Sequence, residues 1–66
     1  MLIKISNLNF SFLLKEYLRI KKIVLPEKQF NLLVSNAYRY FKKREKSMNF
    51  KPTMNEIYEF FQDFLI

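Results

Sequence analysis

The chain has 66 residues, half of them apolar and twelve of them aromatic (eight Phe, four Tyr), and a net charge of +6. It contains no Cys, His or Gly. Those absences exclude a disulfide framework, thiolate or imidazole catalysis, the common zinc ligands and a glycine-rich phosphate loop.

A chain this short makes one domain, spanning residues 1 to 66, and buries only about 60% of the surface its unfolded form exposes. Its core must be built from a few large rings, and so much apolar material on a small body leaves room for a homodimer or a protein partner. The six carboxylates offer no pair in contrasting environments of the kind that separates an acid from a base, so the expectation is a protein that is not an enzyme and takes no cofactor and no metal.

The charge is segregated. All twelve Lys and Arg lie between Lys4 and Lys51 against three acids, which makes that part +9, while the last fourteen residues hold Glu56, Glu59 and Asp63 and no base. An A/T-rich genome would enrich Lys, Asn, Ile and Phe, but it would supply Lys to the last fourteen residues as well. Clustered like charges act on counter-charged molecules over a Debye length of about 8 to 10 Å, so the asymmetry concerns partners. No uncharged apolar run is long enough for a membrane span, and Met1 to Leu14 lacks the small-residue cleavage site of a signal peptide, so a cytoplasmic location is the default.

Along the chain, Leu2, Ile3 and Ile5 around Lys4 form an extended arm or a short strand, with no assigned role. From about Ser11 to Val24 the spacing turns helical, with Leu13, Tyr17, Ile20 and Val24 on one stripe, widened by Leu14, Leu18 and Leu25. Lys15, Arg19 and Lys22 fall opposite, and Lys21 must snorkel along the apolar flank. Leu25-Pro26-Glu27 ends this helix and starts the next, since Pro loses no hydrogen bond at a first helical position and Glu27 suits the positive helix end.

The second helix runs to about Lys46 with Phe30, Leu33, Val34, Ala37, Tyr40 and Phe41 inward and Arg39, Lys42, Lys43 and Lys46 outward. With Arg44 these place five bases in its last two turns, where the helix dipole favours cations. Ser47 to Pro52 reads as a loop with Met48 and Phe50 as anchors. Thr53-Met54-Asn55-Glu56 has the spacing of a capping box and opens a third helix to about Leu65. Its inward face is Met54, Ile57, Tyr58, Phe61, Phe64 and Leu65, with Glu56, Glu59 and Asp63 opposite and Phe60 at the edge.

The fold class expected is all-α, a small three-helix domain with an extended N-terminal arm, carrying positive and negative patches on separate sides. The function expected is that of a small interaction protein, regulator- or inhibitor-like, whose basic helical face binds an acidic surface of a larger protein. The binding residues are Lys15, Arg19, Lys22, Arg39, Lys42, Lys43 and Lys46, with apolar contact from Phe60 and Ile66. The alternative is DNA or RNA binding by the same bases, which neutralise phosphates and release counterions. On this pattern Tyr40 and Phe41 belong to the core, and Tyr38 is the aromatic left to stack on a base. A helix-turn-helix drawn through Leu25-Pro26 lacks the usual turn glycine, and a basic face opposite an apolar one on the first helix is common to membrane-surface and ordinary packed helices.

Overall fold

The computed structural model describes residues 2–48 and 51–65. It is an all-α three-helix domain: α1 is Asn7–Lys21, α2 is Glu27–Met48 and α3 is Met54–Leu65. The long axis of the body, 33 Å, equals the length of α2, since 22 helical residues rise roughly 33 Å.

α1 starts four residues before the periodic stripe. Ser6, in extended conformation, caps it: its hydroxyl accepts from the Asn9 amide at 3.1 Å, and its carbonyl accepts from the Phe10 amide at 3.0 Å. Asn9 donates its side-chain amide to the Lys4 carbonyl at 2.9 Å, so the polar residues that seem to interrupt the segment build its start. The extra turn carries Phe10 into the centre of the core, fully buried.

α1 also ends early, at Lys21, and the sequence expectation is corrected there. Lys22 takes a left-handed conformation (φ 58°, ψ 43°), its amide donates to the Arg19 carbonyl, and the Ile23 amide donates to the Leu18 carbonyl at 2.9 Å. This is a Schellman ending, with a lysine where glycine is the usual residue. The expected stripe does not stay inward: Ile20, in the last turn of α1, is exposed, and Val24, past the helix end, is exposed at 93%. Lys21 holds its ammonium 6.0 Å over the Tyr17 ring, as a snorkelling cation does.

The Pro26 carbonyl accepts the Phe30 amide and so opens α2, which then runs through Met48. Met48 is exposed rather than an anchor, and Phe50 lies outside the described residues. α3 opens on the expected capping box. The Thr53 hydroxyl accepts from the Glu56 amide and Glu56 Oε1 accepts from the Thr53 amide, both at 3.2 Å. The arm is extended and tied to this corner: the Ile3 amide donates to the Pro52 carbonyl at 2.8 Å, Leu2 pairs with Thr53 in a single antiparallel bridge, and Ile5 is buried.

The core joins Ile5, the five inner residues of α1 (Phe10, Leu13, Leu14, Tyr17, Leu18), Leu33, Val34, Ala37 and Phe41 of α2, and Ile57 and Phe61 of α3. Fully buried Ala37 sits among them, small enough for close helix approach. Phe10 meets Phe41 edge-on at 5.7 Å and Tyr17 meets Phe61 at 5.9 Å, ring contacts that add to simple area burial. Besides Ile20 and Val24, three residues of α2 and α3 expected inside are not: Tyr40, Met54 and Phe64 are about half exposed. Tyr40 and Phe64 lie at the margins of their stripes and Met54 at the first position of α3, where a small body has little to cover them.

Candidate interaction surface

The bases of α2 divide by angle. At 100° per residue, Arg39, Lys42, Lys43 and Lys46 fall on the side away from Leu33, Ala37 and Phe41, while Arg44 falls on the inner flank. All four outer bases are exposed. Lys42 reaches half-buried Glu45 at 3.8 Å, a long contact; among the described residues Arg39, Lys43 and Lys46 have no carboxylate within ion-pair distance. Together with Tyr38 and Tyr40 the four line one shallow groove of about 460 Å³.

Lys15 and Arg19 belong to a different place. They line a groove of about 750 Å³ between the end of α1 and the start of α2, with Leu18, Ile23, Val24 and Phe30 as its apolar wall. The two grooves share no lining residue, so six of the seven expected bases divide between two grooves rather than lining one. Lys22 stands on the turn, exposed, and is committed to the left-handed cap. Arg19 is also engaged: its guanidinium donates to Glu16 Oε2 at 2.7 Å. That hydrogen bond, and after it the paired charge, hold the Glu16 carboxyl below its ordinary range and raise the guanidinium above its own.

Phe60 is half-buried at the junction of α2 and α3. Its ring lies 5.1 Å from Tyr40 at 31° and 5.1 Å from Phe64 at 33°, with Phe41 beneath at 5.6 Å. Tyr40, Phe60 and Phe64 thus form a tilted stack along the α2–α3 seam, with Tyr40 48% and Phe64 52% exposed. Ile66 lies outside the described residues.

The acidic side is also divided. Glu59 and Asp63 are exposed on the outer face of α3, but Glu56 is half-buried at the seam, where Oε2 meets the Arg44 guanidinium at 3.0 Å. The expected three-residue stripe is therefore two residues of open negative charge and one that ties α3 to α2.

Sequence reasoning missed three things. Tyr40, not Tyr38, is the open aromatic beside the bases; Tyr38 is half-buried. Phe64 is a surface ring. On α1, Leu8 and Phe12 are exposed, at 80% and 64%, in line with Lys15 and Arg19. A helix begun at Ser6 would have placed that pair on the outer face from spacing alone.

Among the described residues, no helix is long and apolar enough to cross a membrane and no three His, Cys, Asp or Glu residues gather as a metal site. Comparisons with protein-family models, with curated proteins and with solved structures return no match.

Proposed function

We propose that this chain is a non-enzymatic cytoplasmic interaction protein, acting as a regulator or inhibitor, that occupies an acidic surface of a larger protein through the outer face of α2. The observation that carries this reading is the row Arg39, Lys42, Lys43 and Lys46 along one groove, three of them without an acid partner among the described residues. Bases left open in this way contribute to encounter rate and partner choice, whereas a paired base is already half-neutralised. The tyrosine rings in the same groove supply large contact area with few rotors to immobilise.

A specific observation favours a second reading. Tyr40, 48% exposed between Arg39 and Phe41, puts an open ring beside cations, the combination on which single-stranded nucleic acid stacks and is neutralised. Salt separates the two. Phosphate binding by several bases weakens by orders of magnitude between about 50 and about 200 mM salt.

The experiment is recovery of bound molecules from the cells that make the protein, washed along a salt gradient and scored for both protein and nucleic acid. A protein retained after nuclease treatment fits the first reading. Loss of all retained material on nuclease treatment fits the second, and recovery of neither at about 50 mM salt, where surface charges are weakly screened, rejects both.

A further inference from the structure

We infer that the Tyr40–Phe60–Phe64 seam is the interface of a two-fold dimer of this chain. The seam is built for contact before any partner arrives. Its rings are already stacked on each other and on buried Phe41, so little side-chain freedom remains to be lost on association. Two of the three rings are about half open to solvent.

The charges beside the seam choose the occupant. Lys43 lies about 60° around α2 from Tyr40 and Arg39 about 100°, both away from the core; Asp63 lies about 60° around α3 from Phe60 and Glu59 about 100°, likewise outward. Tyr40 touches Phe60, so the seam has a positive bank on α2 and a negative bank on α3. A uniformly acidic partner meets repulsion from Glu59 and Asp63, a uniformly basic one from Arg39 and Lys43, and a nucleic acid from the acidic bank. A partner with the same bipolar pattern satisfies both banks, and a second copy of the chain has it.

The register also agrees. Tyr40 stands level with Phe60, and Arg44 with Glu56, so α2 and α3 run antiparallel. Lys43 is therefore level with Ile57, and Arg39 with Phe61. A two-fold axis along the seam keeps every residue at its own level while exchanging the banks, as a self-complementary interface requires. It sets Lys43 of one copy over Glu59 of the other, and Arg39 over Asp63, each two residues out of level, about 3 Å along the axis by helical rise. Long side chains span that offset. α2 of each copy then lies antiparallel on α3 of the other, ring against ring at the centre.

The dimer shares Arg39, Tyr40 and Lys43 with the partner surface proposed above, and the mass of the purified chain alone tests it without that partner. Light scattering and sedimentation of the wild type at about 50 mM salt, where surface charge pairs are weakly screened, should give a concentration-dependent monomer–dimer equilibrium that stops at two copies. K43E and E59K, both at exposed positions, should each keep the helical circular dichroism and weaken the dimer about tenfold or more, since each places two like-charge pairs in the interface. An equimolar mixture of K43E and E59K should restore the mass of two, as a mixed dimer in which both pairs are opposite in sign. The double variant Y40S/F64S should be monomeric. A wild type that stays monomeric at every concentration, a mass that grows past two copies, single variants that dimerise as the wild type does, or a mixture that stays as weak as its components would each overturn it.

Discussion

Arg44 and Glu56 face each other at 3.0 Å across the α2–α3 seam, and Glu56 uses its other oxygen to hold the Thr53 amide. One carboxylate thus starts α3 and ties it to α2. Both side chains are about two-thirds covered, so the pair is less screened than an open surface bridge. Glu56→Gln keeps a cap acceptor and removes the charge, and should cost about 0.5 to 1 kcal/mol; Glu56→Ala removes both roles and should cost about 1.5 to 2 kcal/mol. Urea unfolding followed at the helical circular dichroism signal measures the difference. Equal losses for Gln and Ala would mean that the cap contributes nothing.

Lys22 at φ 58° holds a conformation that glycine adopts without the Cβ clash. Lys22→Gly should therefore raise stability by about 0.5 to 1 kcal/mol, after allowing for the greater unfolded-state freedom of glycine. In a domain of this size that is a rise in Tm of about 2 to 8 °C. A fall in Tm would show that the lysine side chain stabilises the turn by more than its backbone strain costs.

The early start of α1 is tested at its cap and at the residue the extra turn buries. Ser6→Ala should cost about 1 kcal/mol. Phe10→Ala should cost about 3 to 5 kcal/mol, most or all of the stability of a 66-residue domain, and should leave a largely unfolded chain at room temperature. If instead the helix began at Ser11, Ser6→Ala would leave the thermal transition where it is.

Glu16 titrates below its ordinary range because Arg19 hydrogen-bonds to it. A carboxylate whose folded pKa is depressed contributes stability above its unfolded pKa, and loses it as the pH falls through the folded value. Arg19→Gln should return the Glu16 carboxyl towards its ordinary range in an NMR titration of the side-chain carbons. The pair is exposed, so the acid limb of the stability curve should move little. A Glu16 titration unchanged by Arg19→Gln would mean that the pair does not persist in solution.

The parts of the fold that the sequence announces are those where chemistry is local. Thr53 and Glu56 form a reciprocal pair three residues apart, and the structure closes it as spacing alone predicts. Ser6 is an equally local signal, but apolar spacing starts the helix only at about Ser11, and the cap emerges once Asn9 is seen with its amide on Ser6 and its side chain on the Lys4 carbonyl. The apolar stripe carries on past Lys21 because periodicity does not record where a helix stops, and without a glycine nothing marks Lys22 as the left-handed residue. Tyr40 and Phe64 sit at the edge of the inward face of their own helices; whether a neighbouring helix is wide enough to cover them is a tertiary property. The same limit applied to the surface. Helical angle placed Arg39, Lys42, Lys43 and Lys46 outward, but the separation of Lys15 and Arg19 into another groove, and the withdrawal of Glu56 to Arg44, depend on how the helices are set together.

The outer face of α2 as the contact surface is tested most directly by charge reversal. Lys42→Glu with Lys43→Glu alters two exposed positions outside the core, and circular dichroism should show the domain folded. Compared with the wild type in parallel capture from the native cells, the account predicts that the double variant no longer retains the protein partner. A folded double variant that still captures every partner of the wild type, with the same resistance to salt, would contradict it.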